Sequence, residues 1–300
     1  MSSNMKCPLV VGIGELLWDI FPDGKKMGGA PANVIYHTIQ TGCTGYVISS
    51  VGNDDPGKSL LAELEKRNIS DQYVNISDDF PTGTVTVKLD DKGIPTYTIH
   101  ENVAWDHINI NDKNSELVKK ADAICFGSLA QRNNVSAKTI ISLLERSSRD
   151  ALIVFDMNLR QDYYSYSVIS QSLKLCNVLK LNESEMEELT GLFGLKGTDA
   201  DKLRYFTERF KLNLIAFTKG ADSSILFTPE KQSELSSPTV NVVDTVGAGD
   251  CFTASIIAGM LKRVPLENIH RMAVDLSAWV CTRKGATPEY TMPKESYQLF

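Results

Sequence analysis

Short apolar runs alternate along this chain of 300 residues with longer segments whose apolar residues recur every three or four positions. Some runs, such as 152–155, are apolar at every position, as strands covered on both faces are. The alternation predicts an α/β fold with a doubly wound, mostly parallel sheet flanked by helices. We predict strands at 9–13, 46–51, 123–126, 152–155, 178–181, 214–218 and 240–243. We predict helices at 32–41, 57–67, 135–147, 183–190, 202–210, 251–262 and 266–282.

One region departs from this pattern. Residues 82–90 alternate between polar and apolar positions, and with 95–100 they flank the turn sequence Asp91-Lys92-Gly93. We predict a β-hairpin inserted as a small lid at about 82–108, to which 15–27 could add. Such a hairpin would fold over a ligand or pair with a second copy of the chain; an edge hairpin without a role is the alternative. We expect residues 1–300 to form a single domain.

Composition and charge narrow the function classes. The net charge of −6 gives no basic face for nucleic acid or an anionic membrane, so we expect neither as a partner. Six widely spaced cysteines without a CxxC pair, and four histidines without metal-ligand spacing, predict reduced thiols in a cytoplasmic protein. We find no basic leader and no apolar run long enough to span a bilayer.

The strongest chemical signal is the segment 244–250, Asp-Thr-Val-Gly-Ala-Gly-Asp. It follows a β-branched run and leads into an apolar, helix-like stretch. A small-residue loop in that place directs backbone N–H groups at one point, and the helix dipole adds a positive field. Asp250 lies where the helix begins, so the segment combines an anion hole with a base. That pairing suits phosphoryl transfer to a hydroxyl.

These seven residues also resemble the C-terminal DTxGAGD signature of the ribokinase-like (PfkB) carbohydrate kinases. Residues 28–33, Gly-Gly-Ala-Pro-Ala-Asn, resemble the N-terminal GGxxxN motif of the same family. Segments 12–15, 182–185 and 282–286 follow the family in the expected order, so the resemblance spans essentially the whole chain. The form of 28–33, together with 126–132 and 156–160, resembles the fructokinase branch in particular.

The resemblance implies a ribokinase-like fold and an ATP-dependent sugar kinase, with fructokinase as the expected activity. It implies Mg²⁺ with the ATP phosphates, and K⁺ as a candidate monovalent cation. Ribose, 2-keto-3-deoxygluconate or a nucleoside as substrate remains open, as does a sugar-binding regulator without catalysis. A homodimer through the lid hairpin is a further expectation.

By resemblance, Asp250 would accept the proton of the sugar hydroxyl. A carboxylate at a helix N-terminus is expected to stay ionised at neutral pH. Gly247, Ala248 and Gly249 would give N–H groups to the transferring phosphoryl, because side chains there would block its approach. The alternatives are a helix-capping aspartate and a tight turn.

The remaining implied roles concern the two substrates. Asp19 and Asn33 would hold sugar hydroxyls together with Gly28 and Gly29. A solvated turn is the alternative for Asp19, and a surface ion pair is the alternative for Arg160. The strand-end residues that could also meet the sugar or phosphate are Gln131, Arg132 and Arg160.

A second group concerns nucleotide and metal. Asn182 and Glu185 match the family's NxxE motif for magnesium and phosphate, with Mg²⁺ contact through water; favourable helix-dipole charges are the alternative. Thr218 and Gly220 resemble a nucleotide loop. Asp244 and the loop containing Gly285 would bind the monovalent cation, largely through backbone carbonyls.

A rival motif spans residues 52–59, Gly-Asn-Asp-Asp-Pro-Gly-Lys-Ser, which match the P-loop pattern GxxxxGK[ST] between a strand and a helix. Asp54 and Asp55 would repel a polyphosphate, and Pro56 lacks an N–H donor. The PfkB family also carries a VGxDxxG stretch here, so we favour that interpretation over a P-loop kinase.

Overall fold

The computed structural model describes residues 7–89 and 95–291, so the predicted turn Asp91–Gly93 lies outside the described residues. Thirteen strands and nine α-helices occur in this part of the chain. The strands are β1 (Leu9–Ile13), β2 (Leu17–Phe21), β3 (Gly24–Gly28), β4 (Thr44–Gly52), β5 (Val74–Ser77), β6 (Gly83–Leu89), β7 (Pro95–Ile99), β8 (Ala123–Phe126), β9 (Leu152–Asp156), β10 (Val178–Asn182), β11 (Leu214–Lys219), β12 (Ser223–Phe227) and β13 (Gln232–Ser236). The helices are α1 (Ala30–Gln40), α2 (Asp55–Lys66), α3 (Asp112–Lys120), α4 (Asn134–Glu145), α5 (Tyr166–Leu175), α6 (Glu183–Phe193), α7 (Asp199–Phe210), α8 (Ala248–Leu261) and α9 (Leu266–Cys281).

Nine strands form one sheet in the order β13-β12-β11-β10-β9-β8-β1-β4-β5. The pairs from β5 to β11 are parallel, and β12 and β13 add an antiparallel edge. The predicted doubly wound, mostly parallel sheet is confirmed. Between β1 and β8 the chain order reverses, so the loops leaving their carboxyl ends diverge and open a crevice there.

Helices cover both faces of this sheet and divide the core into two layers. Apolar side chains of α3 to α7 pack on one face, where Phe126 and Phe155 stack with their ring centroids 5.2 Å apart. Those of α1, α2, α8 and α9 pack on the other face. The strands are apolar at successive positions because each face has its own helical layer. No helix in the described ranges is long and apolar enough to cross a membrane.

The lid is a separate four-stranded sheet in the order β3-β2-β6-β7. Its pairs are antiparallel except β2 with β6. The predicted hairpin is present as β6 and β7, and 15–27 does contribute β2 and β3. Trp105 is fully buried beneath this sheet, and the Trp18 Nε1–H donates to the Pro56 carbonyl at 2.9 Å. These contacts fix the lid to α2 and to the buried segment that follows β7.

The prediction of a strand at 240–243 is wrong. Val242 and Val243 are 61% and 56% exposed, and this segment pairs with no strand of the described chain. The N–H groups of Val243 and Asp244 instead donate to the Cys281 carbonyl at the end of α9. Helix α8 begins at Ala248, three residues before the predicted start, so the helix dipole lies closer to the glycines than expected.

Candidate active site

The candidate site motifs of the sequence meet at the carboxyl edge of the large sheet. Asn33, in the first turns of α1, donates from Nδ2 to Asp250 Oδ2 at 2.8 Å, although 217 residues separate them. The loops after β1, β9 and β10 reach the same edge, and β2 of the lid approaches from above. The structure therefore joins the candidate sugar motif directly to the candidate base.

The anion loop, residues 244–250, is held rigidly. Gly247 is the N-cap of α8 with φ of 82°, and a Cβ there would lie 2.5 Å from the backbone of Ala286. The Asp244 carboxylate accepts from the N–H groups of Val246 at 3.1 Å and Gly285 at 2.9 Å. The first turn of α8 leaves N–H groups without intrahelical acceptors, so these donors are available to an anion.

One predicted donor is partly engaged within the loop. The N–H of Ala248 donates to the Thr245 carbonyl at 3.3 Å, which is a long hydrogen bond. An incoming phosphoryl oxygen would compete with that carbonyl, so the Ala248 N–H is a weaker donor here than a free one.

Asp250 is partly accessible to solvent but lies deep in the crevice. Burial, aided by the nearby Asp156 carboxylate, raises its pKa to about 6 despite the Asn33 hydrogen bond and the charges of Lys180 and Arg160. The sequence predicted an ionised carboxylate from the helix dipole alone and missed the opposing effect of burial. Since a pKa of about 6 still lies below 7, the carboxylate is mostly ionised at neutral pH.

The glycines of 28–33 permit close approach of other groups. A Cβ on Gly28 would lie 2.5 Å from Asp19 Oδ2, and one on Gly29 would lie 2.4 Å from the Glu15 carbonyl. Gly29 has φ of 123° and is the N-cap of α1. Asp19 is thereby brought over the start of α1, where the sequence placed the sugar.

Two oxygens at this place have no hydrogen-bond partner within the described structure: Glu15 Oε2 and Asn33 Oδ1. Glu15 is buried, and its Oε1 accepts from the Ala30 N–H at 3.2 Å. Burial raises the pKa of Glu15 to about 7 and that of Asp19 to about 6. The sequence analysis assigned no role to Glu15. The feature that could have identified it is the position of an acidic residue just after the first strand.

Arg160 is exposed on the loop that follows β9. Its neighbours Asn158 and Gln161 have positive φ of 42° and 47°, a strained arrangement that often occurs at binding sites. The Arg160 charge lowers the pKa of both Glu15 and Asp19, so the guanidinium faces the same crevice.

Arg132 and Gln131, which the sequence placed near the sugar, both make hydrogen bonds within the fold. Arg132 is buried, donates to both oxygens of Asp106 at 2.7 and 2.9 Å, and stacks 4.0 Å from the Trp105 ring. Gln131 Nε2 donates to the Gly127 carbonyl and to Ser172 of α5. Arg132 thereby links the lid segment to the loop after β8, and Gln131 links that loop to α5. Arg132 Nη1 is buried and has no hydrogen-bond partner within the described structure, so a contact with the sugar stays a prediction.

Asn182 and Glu185 form a capping box at the start of α6. Glu185 is buried, with one oxygen accepting from the Asn182 N–H and the other from the Leu159 N–H. Each oxygen keeps a lone pair, which leaves room for contact with a metal through water. Thr218 and Gly220 lie at the end of β11, and the Lys219 ammonium between them is 2.7 Å from Asp199.

The loop predicted to bind the monovalent cation is held in place by a hydrogen bond to α1. The Ala286 carbonyl is 2.9 Å from His37 Nε2, and Gly285 has φ of 80°. Burial lowers the pKa of His37 to about 4, so a neutral ring donates to this carbonyl. Over 7–89 and 95–291, no group of three or more His, Cys, Asp or Glu residues could hold a metal ion.

The P-loop alternative fails on geometry. Asp54 caps α2 and accepts from the N–H groups of Gly57 at 2.7 Å and Thr82 at 2.9 Å. Its carboxylate thus takes the donors that a phosphate would need. Hydrogen bonds from Thr82 and Gly57 outweigh burial and lower the pKa of Asp54, which keeps the charge in place.

Replacing Lys58 with alanine is therefore expected to leave the Kd for ATP within about twofold of the unaltered protein. Lys58 is exposed, and its only charged neighbour in the described residues is Asp55, 3.8 Å away. Calorimetric titration with ATP measures this, and abolished ATP binding would restore the P-loop interpretation.

Comparison with known proteins decides the family. The family model "pfkB family carbohydrate kinase" matches residues 21–293. The chain belongs to the PfkB family of carbohydrate kinases. The match covers both the sugar motif and the anion loop, so this PfkB protein is a phosphotransferase with an alcohol group as acceptor.

Three relatives align over nearly their full lengths. A sugar kinase of Pyrococcus horikoshii is 31% identical over 304 residues, which covers 94% of this chain and 93% of the relative. An ATP-dependent 6-phosphofructokinase of Thermoanaerobacterium thermosaccharolyticum is 26% identical, covering 97% and 94%. A fructokinase of Salmonella typhimurium is 26% identical, covering 91% and 93%.

Solved structures show the same fold. The Pyrococcus horikoshii kinase in complex with ATP superposes with a TM-score of 0.81 at 30% identity, over 93% of this chain and 94% of that one. A fructokinase of Vibrio cholerae with fructose, ADP and calcium gives 0.79 at 23% identity, over 93% and 94%. The ribokinase-like fold of this PfkB kinase is thereby confirmed.

Proposed function

We propose that this PfkB kinase is a fructokinase, which transfers the γ-phosphoryl group of ATP to the 6-hydroxyl of D-fructose. The observation that carries the proposal is the 2.8 Å hydrogen bond from Asn33 to Asp250, because the proposal requires residues 28–33 and Asp250 to act on one substrate. The fructokinase among the relatives supports the choice of sugar.

The charges of the crevice favour a neutral sugar. Three carboxyl groups, Glu15, Asp19 and Asp250, face it with the cations Arg160 and Lys26. A sugar bearing its own carboxylate or phosphate would be repelled by these acids, since two cations cannot balance three ionised carboxylates. The unpartnered oxygens of Glu15 and Asn33 are acceptors, and sugar hydroxyls supply the matching donors.

In this proposal Asp250 accepts the hydroxyl proton as the sugar oxygen attacks phosphorus. Asn33 orients the carboxylate, leaving Asp250 Oδ1 for the substrate. The N–H groups of Gly247 and Gly249 at the start of α8 stabilise the transferring phosphoryl. Mg²⁺, when bound, neutralises charge on the ATP phosphates, and Glu185 with Asn182 would contact it through water.

The remaining roles are assigned by the same proposal. Thr218 and Gly220 would line the nucleotide side, and a K⁺ ion would bind backbone carbonyls near Asp244 and Gly285. The outer edge of β7 has no partner strand among the residues described, so a homodimer through the lid hairpin stays part of the proposal.

Activity should fall on the acid side as Asp250 and Asp19 take up protons. Both have a pKa raised to about 6, and the base works only when ionised, so kcat/KM for the sugar should be lost as the pH falls through 6. It should level off above neutrality. Initial rates between about pH 5 and 9 test this, and a flat profile down to pH 5 would contradict it.

A sugar panel tests the substrate. We expect kcat/KM for D-fructose to exceed that for ribose, 2-keto-3-deoxygluconate, a nucleoside and fructose 6-phosphate by at least tenfold each. ADP release in a coupled assay gives the rates. A preference for one of the acidic sugars would overturn both the fructose assignment and the charge argument behind it.

A further inference from the structure

A buried charge pair lies beneath the anion loop and has no part in the proposal so far. Lys180 is the only charged residue of β10, between Leu179 and Leu181, and its Nζ is 3.0 Å from Asp156 Oδ1 on β9. The other Asp156 oxygen accepts from Thr253 Oγ1 of α8 at 2.7 Å. Lys180, Asp156 and Thr253 are 8%, 3% and 1% exposed, so the network is part of the core.

Its ammonium group lies directly against the first turn of α8. A Cβ added to Gly249 would be 3.1 Å from Lys180 Nζ. A helix N-terminus repels a cation, and a buried ion pair adds little stability over an apolar pair of the same volume. A lysine at this position therefore adds little to the stability of the fold. It does add a fixed positive charge behind the loop that would receive the phosphoryl group.

The same charge acts on Asp250. The groups that face the Asp250 carboxylate are Asn33 from α1, Asp156 from β9, Lys180 from β10, Arg160 from the loop after β9, Glu15 from the loop after β1, and the neutral thiols of Cys125 on β8 and Cys251 on α8. Asp156 and Glu15 favour the protonated form, whereas Lys180 and Arg160 favour the ionised form. Arg160 is exposed, so Lys180 is the cation whose place the core fixes.

We propose that Lys180, with Asp156 and Thr253, is a positioning residue of the kinase site: it fixes the first turn of α8 and keeps Asp250 in its proton-accepting form. It touches neither substrate and acts through Asp250 and the N–H groups of the loop. The inference rests on the proposed role of Asp250 as base.

The charge effect is tested by comparing Asp156→Asn with the double variant Asp156→Asn/Lys180→Met. Both lack the Asp156 carboxylate, so they differ only in the cation. We expect the acid limb of the kcat/KM profile to lie about one pH unit higher in the double variant, and Asp156→Asn/Lys180→Arg to return most of that shift. Superimposable limbs in the single and double variants would overturn the proposal.

Thr253→Val tests whether the hydrogen bond from Thr253 to Asp156 fixes the first turn of α8, and it removes no charge. We expect kcat to fall about tenfold with KM for sugar and ATP nearly unchanged. The control is Ser255→Ala two residues further along α8, whose hydroxyl bonds only the Cys251 carbonyl among the residues described. Equal kcat in the two variants would contradict the anchoring role. If fructose is the wrong sugar, the unaltered protein itself fails to turn it over, which distinguishes that failure from this one.

Discussion

Replacing Asp250 with asparagine should lower kcat for sugar phosphorylation by on the order of 100-fold or more. Asparagine keeps the size of the side chain and an acceptor for Asn33, but it cannot take up the hydroxyl proton at neutral pH. Because the α8 N-terminus and the nucleotide side are untouched, Kd for ATP should remain within about threefold. Steady-state kinetics and calorimetry give the two quantities.

A matched control is Asp275→Asn, an exposed acid on α9 that should change neither quantity. Near-normal turnover by the Asp250 variant would remove this residue from the role of base. A loss of ATP binding in step with turnover would instead indicate a structural role.

The second large effect is expected from Gly247→Ala. Alanine at φ of 82° is strained by roughly 1–2 kcal/mol, and its Cβ would lie 2.5 Å from the Ala286 backbone, so the loop must shift. Displaced N–H donors should lower kcat by about 100-fold, the scale seen when one oxyanion donor is lost. The melting temperature should fall as well.

Gly194→Ala separates strain from site geometry. Gly194 ends α6 with φ of 62°, and nothing lies within 4 Å of an added Cβ. This variant should lower the melting temperature by a few degrees and leave kcat intact. If the two variants lost the same share of activity, the Gly247 effect would be general destabilisation and the anion loop would lose its assigned role.

Local patterns in the sequence predicted most of the fold. The apolar runs of the parallel strands are continuous because helices cover both faces, so runs such as 152–155 identified the sheet. The prediction of a strand from the β-branched run at 240–243 was wrong. No strand lies beside this run, and the Val243 N–H instead donates to the Cys281 carbonyl at the end of α9. Helix α5 was missed because its serine-rich sequence carries little helix propensity and depends on packing.

A loop of small residues leading into a helix was predictable at 244–250, because one short motif contains it. The site was not predictable where distant segments meet. The contact of Asn33 with Asp250, the burial that raises the pKa of Glu15, and the use of Arg132 as a lid fastener all depend on the tertiary fold. The sequence analysis gave Lys180 no role, because its approach to Gly249 of α8 also depends on the tertiary fold.

A single-turnover reaction tests the central claim most directly. Enzyme in excess is mixed with γ-labelled ATP and D-fructose, and the label is followed in the products. We predict that the unaltered protein moves the label to the fructose 6-hydroxyl, while Asp250→Asn binds the nucleotide and leaves the label on ATP. Label transfer at similar rates in both proteins, or release of labelled phosphate without transfer to the sugar, would contradict the account.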